Sequence, residues 1–289
     1  MRIKAIVIRT DYWTPGTDFT QAIVEAVQGL VQDNDIVAVS EKALAVAQGL
    51  IVDEAPIEPS LLSELLARLW MRLFWGGPLA QMTRMHRKTR FRLRNYPSKE
   101  GAIHKQTALR YAGLLQSLRH YSEGGIDASN LPYAYVSLPL KNASEVACRI
   151  QQTIEEQLGK CTTVVVVDGD TTYSFRNLHL APRRVKTKGL IHAGGFLTFV
   201  AGRALGLQGR PTPVGVSDDT QNPDRALTYA AVAHSVCGRG AGRTVWEMSR
   251  RYGVALTEVT WRMLKSSVHR PVVILRVLMP NDISRIGSS

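Results

Sequence analysis

The sequence has little cysteine and no CxxC spacing: Cys148, Cys161 and Cys237 lie far apart and are odd in number. That excludes a zinc knuckle and a disulfide framework, and it fits buried thiols in a reducing cytoplasm. No uninterrupted apolar run is long enough to span a bilayer, since the least polar stretch, Gly189 to Leu207, is broken by His192 and Arg203. The opening MRIKAIVIRT passes into a strand pattern without a cleavage site, so neither export nor a membrane span is expected. Internal repeats, low-complexity tracts and obvious linkers are lacking. The glycine-rich CGRGAGRT from Cys237 lacks the four-residue gap and the Gly-Lys-Ser/Thr ending of a phosphate-binding P-loop.

Acid is also scarce relative to base. The net charge is +12 and the isoelectric point is near 9.9. Much of the excess is local: Arg84, Arg87, Lys88, Arg90, Arg92, Arg94 and Lys99 fall within sixteen residues that contain no acid. Such a run suits a nucleic acid, a small polyanion such as a nucleotide triphosphate, or a solvated helix face. No RNA-binding or helix-turn-helix signature accompanies it, which ranks nucleic acid below a small anion or solvent.

With 289 residues, 45% of them hydrophobic, the chain can bury a large core. Ile3 to Ile8 reads as a strand and Thr20 to Val31 has helical spacing. Asp35 to Val39 is a short strand, after which Ser40 is placed to cap a helix closed by Gly49. From Ser60, the residues Leu61, Leu62, Leu65, Leu66, Leu69, Trp70, Leu73 and Phe74 trace one helical face, read as core or as a dimer contact. Ala143 to Leu158 is helical with Gly159 as its stop, Thr212 to Asp219 is loop-like, Ala226 to Val236 is helical and Val272 to Leu278 is a closing strand.

Two stretches gather carboxylates. GGIDASN, Gly124 to Asn130, sets two glycines before Asp127 and Asn130, so the backbone can turn tightly and both side chains can reach one ion or phosphate. VVVVDGDTTYSF, from Val164, reads as a buried strand that delivers Asp168, Asp170 and Thr171 at its C-terminal edge, where ligand sites collect in α/β sheets. The plainer reading is a Gly-Gly turn with an Asx cap, and an ordinary strand exit.

These segments, together with DIVAVSEKALAVAQG from Asp35 and SLPLKNASEVACRI from Ser137, occur in the order found in the coenzyme F-420-0:L-glutamate ligases, the deazaflavin γ-glutamyl ligases, which the chain resembles over nearly its whole length. GGIDASN is the most specific of the four. The resemblance implies an α+β fold of mixed sheets with helices, forming one catalytic unit over residues 1–289 of two intertwined lobes, the second at about 180–250. It implies a cytoplasmic homodimer that uses GTP, or ATP, with two Mn²⁺ or Mg²⁺ ions and a monovalent cation, and that joins L-glutamate to the carboxylate of coenzyme F-420-0 through an acyl phosphate. Asp127, with Asp168 or Asp170 and Thr171, would hold metal; Asn130 would contact the nucleotide, as would Ser40, Glu41 and Lys42 and the Arg239, Gly240, Arg243 turn. No catalytic side chain is assigned.

Departures from the family pattern bear on the substrate. Its hydroxyl pair after the DIVAV-like strand is Glu41-Lys42 here, and a lysine further along is Val46. Lys42 is therefore expected to take over a phosphate contact, with Glu41 facing the triphosphate. The acidic segment before the GGID region is replaced by RMHRKTRFRLR. A ligase with another carboxylate acceptor, and a non-enzymatic nucleic-acid-binding protein using residues 84–99, are the competing readings.

Overall fold

The computed structural model describes residues 2–218 and 222–278. In chain order its first part runs β1 (Arg2–Thr10), α1 (Phe19–Val27), β2 (Ile36–Ser40), α2 (Glu41–Ala47), β3 (Ile51–Asp53) and α3 (Leu61–Leu65). A π-helix over Leu66–Trp75 leads to α4 (Pro78–Met82), α5 (Arg87–Arg94), α6 (Lys99–Tyr111), α7 (Leu114–Ser117) and β4 (Tyr135–Ser137). There follow α8 (Ala143–Leu158), β5 (Thr163–Phe175), β6 (Leu178–Ala181), β7 (Leu190–His192), α9 (Phe196–Ala204) and β8 (Gln208–Val216). The described chain closes with α10 (Pro223–Val236), α11 (Val245–Tyr252), α12 (Trp261–Lys265) and β9 (His269–Leu278). The fold is α+β with mixed sheets, as expected.

The main sheet has the order β1-β9-β2-β5-β6-β7, with β8 paired to β5 off that path. Its central strands are apolar on both sides because each faces a core. Val37, Val39, Val164, Val166, Val272 and Ile274 pack toward α1 and α8, whereas Ile36, Ala38, Val165, Val167, Val273 and Leu275 pack toward α10. This strict alternation is the period of a strand, and burial of both faces explains a run of four valines. Gly159, at φ 64°, ends α8 in the left-handed conformation as its position in sequence predicts.

The parallel pairing of β2 with β5 fixes the site. Ser40 lies opposite Val167, so the next residues, Glu41 and Asp168, leave the two strands side by side at their carboxyl ends. β5 does not end at Val167 as expected. It continues to Phe175 against β8, with a bulge between Asp168 and Thr171. The bulge re-aims the intervening Gly169 and Asp170. The stretch Thr212 to Asp219 was expected to be loop-like, but residues 212–216 are the second half of β8 because they complete this pairing, and Asp219 lies outside the described residues.

One other expectation gains detail and one is corrected. The basic run forms helices, and part of it is internal scaffolding: Arg90 and Arg94 both donate to the Gly76 carbonyl, at 3.1 and 2.8 Å, and Arg92 pairs with Glu247 at 3.3 Å. The leucine row after Ser60 is not the core face. Leu61, Leu69 and Leu73 are 75, 48 and 60% exposed, while Ala67, Met71 and Trp75 are fully buried. The wider π winding puts those small and aromatic residues on the inner face at intervals of four, next to Phe196 and Phe199.

The seam between α8 and β8 leaves no room at Gly215. A Cβ there would lie 2.3 Å from the Ala143 carbonyl carbon and 2.5 Å from its oxygen. Gly215→Ala should cost about 1–3 kcal/mol by overpacking against backbone, read as a lower urea midpoint; an unchanged midpoint would mean that the seam opens freely.

Candidate active site at the carboxyl ends of β2 and β5

Arg183, which follows β6, fills the space between the two strand ends. Its Nη1 donates to Glu41 Oε2 and to Asp168 Oδ2 at 2.5 Å each, and its Nη2 donates to Glu41 Oε1 at 2.8 Å. Glu41 and Arg183 side chains are only 4 and 2% exposed. Burial opposes the charge on Arg183, but the two carboxylates outweigh it and hold its pKa above the usual arginine value. Glu41 also accepts from the Leu140 amide at 2.9 Å. It is thus a buried partner of Arg183 and not a residue facing a triphosphate.

GGIDASN packs directly on this guanidinium. Gly125 has φ +97°, and a Cβ on it would approach Arg183 Cζ to 2.6 Å. Glycine is required there both for conformation and for close approach. The segment then presents Asp127, whose Oδ2 lies 2.6 Å from Lys42 Nζ. Lys42 also donates to Ser129 Oγ at 2.7 Å and to its carbonyl at 3.2 Å. Ser40 sits at the first position before α2 but makes no side-chain capping bond.

Asn130, expected at the nucleotide, is a bracket instead. Held at φ 58°, its Oδ1 accepts from the Ala241 amide at 2.7 Å and its Nδ2 donates to the Gly242 carbonyl at 2.9 Å. Gly240, at φ +57°, has no space for a Cβ, which would fall 2.5 Å from Asn130 Oδ1. The expected Arg239, Gly240, Arg243 turn is therefore joined to GGIDASN through Asn130. Arg243 is exposed, and Arg239 is exposed on the turn's outer side.

Asp170 is turned inward and is 4% exposed. Arg119 meets it with two bonds, Nη1 to Oδ2 at 2.6 Å and Nη2 to Oδ1 at 2.5 Å. Thr171 donates its backbone amide to Asp170 Oδ1 at 2.9 Å. Burial works against the charge on Arg119, yet Asp170 holds its pKa above the usual value.

A cavity of about 610 Å³ opens beside Asp127, walled by Ile126–Ser129, by Tyr96 and Tyr121, and by Arg243 to Trp246. Its wall carries a second charge network that the sequence reading missed. His104 Nδ1 lies 2.9 Å from Glu54 and its Nε2 lies 3.4 Å from Glu123, while Lys105 Nζ reaches Glu123 at 2.7 Å. Burial alone would lower the His104 pKa, but the flanking carboxylates Glu54 and Glu123 raise it to about 10, so the ring is an imidazolium. Lys105 and His104 in turn hold Glu123 far below the usual carboxylate range despite its burial. His120, in the same wall, is pushed down to about 3 by burial with Arg119 nearby, and its Nδ1 has no hydrogen-bond partner. The sequence held one signal for this network: Glu123 immediately precedes Gly124, and Arg119-His120-Tyr121 lies just before it.

Residues 7–237 match the profile of the family described as "F420-0:Gamma-glutamyl ligase". The chain belongs to this ligase family. An uncharacterized protein of Methanocaldococcus jannaschii is 27% identical over 285 residues, covering 95% of this chain and 97% of the relative. Among the described residues no helix is long and apolar enough to cross a membrane.

The carboxylates at this site are already neutralised by side chains. Asp127 has Lys42, Asp168 has Arg183, and Asp170 has Arg119. No group of three or more His, Cys, Asp or Glu side chains able to hold a metal exists among the described residues. An ion at Mg²⁺–oxygen distance, about 2 Å from Asp127, would share that carboxylate with an ammonium, at a repulsion of about 4 kcal/mol per unit charge at 4 Å in a medium of effective dielectric about 20. The arrangement does not fit a pair of divalent ions.

Asp170 accordingly has the placement of a structural residue. Asp170→Asn should leave Arg119 buried without a counter-charge and cost about 3–5 kcal/mol. Calorimetric or urea unfolding checks this, and a variant as stable as the wild type would show that Arg119 finds another partner.

Proposed function

We propose that the protein is a nucleotide-dependent carbon-nitrogen ligase that adds L-glutamate to a carboxylate-bearing acceptor, coenzyme F-420-0 or a related molecule, with its reaction centre at the Lys42–Asp127 edge of the cavity. The observation that carries this reading is that GGIDASN, the most family-specific segment, supplies Ile126–Ser129 to the wall of that cavity.

A carboxylate does not react with an amine in water because hydroxide-like oxygen is a poor leaving group. In this reading the γ-phosphoryl group of GTP or ATP is transferred to an acceptor carboxylate oxygen, breaking the bond to the β-phosphate oxygen and leaving the diphosphate. The glutamate amine then attacks the acyl carbon, expels inorganic phosphate and loses a proton, giving the amide. The chief demand is neutralisation of charge that moves onto oxygen in the transition state. Lys42, fixed by Asp127 and Ser129, is positioned to face a phosphate oxygen from one side, with Arg243 on the cavity rim from another. Tyr121 and Trp246, with ring centroids 6.1 Å apart, offer apolar wall for the acceptor.

The test is to incubate the protein with GTP or ATP, glutamate and a panel of carboxylate acceptors, and to look by mass spectrometry for one added glutamate. Product is expected, and Lys42→Ala should lose about 1.5–3 kcal/mol of nucleotide interaction. Absence of both product and acceptor-dependent nucleotide hydrolysis across the panel would sink the ligase reading.

The same reading includes a homodimer, with the exposed Leu61, Leu65, Leu69 and Leu73 row as the surface to be covered. Light scattering at micromolar concentration should give twice the chain mass; a monomer mass removes this part of the proposal.

A further inference from the structure

The cations that meet the site's carboxylates come from three separate segments: Lys42 from α2, Arg119 from the stretch after α7, and Arg183 from the stretch after β6. They also differ in freedom. Arg119 and Arg183 are 1 and 2% exposed and wedged in place, the latter against Gly125. Lys42 is 26% exposed, is held by an aspartate, a hydroxyl and a carbonyl, and stands beside a cavity wall that contains both Asp127 and Ser129.

We propose that Lys42 and Arg183 occupy the place of divalent cations, so that this site neutralises and binds a phosphate-bearing anion with the protein's own side chains and without a metal ion. Asp127 and Asp168 then act as positioning residues for fixed cations. An ammonium and a guanidinium together supply the two positive charges of one divalent ion, and an ammonium can also donate hydrogen bonds to phosphate oxygens. Arg183 spends its Nη donors on Glu41 and Asp168, so its contribution is the charge that keeps Asp168 from repelling the anion. Lys42 also places its three donors, on Asp127 and on the hydroxyl and carbonyl of Ser129, but it is 26% exposed, so it is the group that can turn a donor from the 3.2 Å carbonyl contact to a phosphate oxygen.

The proposal takes from the ligase reading only the expectation of phosphate, and its test measures no turnover, so failure to find product leaves its outcome unaffected. Mn²⁺ is titrated into the substrate-free protein by calorimetry and by paramagnetic resonance. Wild-type protein should show no saturable binding up to millimolar concentration. Lys42→Met, which frees Asp127 at a partly exposed position, should gain a site at least about tenfold tighter, and Lys42→Arg should not; circular dichroism establishes that both are folded. In a parallel titration with EDTA present, inorganic tripolyphosphate should bind the wild type and bind Lys42→Met at least about tenfold more weakly. Micromolar Mn²⁺ binding by the wild type that is lost in Asp127→Asn would overturn the proposal. So would a folded Lys42→Met that gains no Mn²⁺ site, or tripolyphosphate binding that requires Mn²⁺ or does not occur at all.

Discussion

The buried guanidinium of Arg183 holds together three segments that are far apart in the chain. Parallel pairing of β2 and β5 brings Glu41 and Asp168 to one edge, where two like charges without a cation would repel in a poorly solvated setting. Arg183 bonds both, and its flat outer face becomes the floor on which Gly125 lies. A charged group taken out of water is costly unless its donors and charge are both matched. Here the Nη atoms are matched and Nε is the one left without a partner. The position of Asp127, and through it that of Lys42, follows from this floor.

Next to it the chain repeats the device with other residues. Arg119 answers Asp170 behind the bulge, and Lys105 with His104 answers Glu123 and Glu54 in the cavity wall. Each is a carboxylate and a cation brought from different elements, so each pair fixes the relative placement of those elements as well as cancelling charge. The result is a mainly apolar cavity backed by ion pairs that offset one another, with the exposed Arg243 at its rim.

Much of the frame was legible in the sequence because it follows local rules. The alternating burial of Val164–Val167, the α8 helix with its Gly159 stop, and the closing strand were all readable from periodicity and end signals. The resemblance to the ligase family was readable from GGIDASN and the segments around it, and the family match agrees. What was not legible is who partners whom. Glu41 looks like an exposed first-turn acid in sequence, but its partner is 142 positions away. Asn130 looks like a ligand contact, yet it spends its side chain on a turn more than a hundred residues later. The leucine row misled for a different reason: a period near 3.6 was assumed throughout, whereas beyond Leu65 the winding is π, which turns Leu69 and Leu73 outward and buries Ala67, Met71 and Trp75.

The strand order has a bearing on how the chain acquires its structure during synthesis. β9, the last described strand, is inserted between β1 and β2, with Arg2 opposite Leu278 and Ile36 opposite Leu275. Until β9 emerges from the ribosome, β1 and β2 have no common neighbour and the edges that face it stay open. Loop closure across nearly the whole chain then comes late, which makes for slow folding and leaves an apolar strand edge transiently available to other chains. In a nascent chain β2, β5 and the helices that flank them can therefore begin to collapse before β9 joins them.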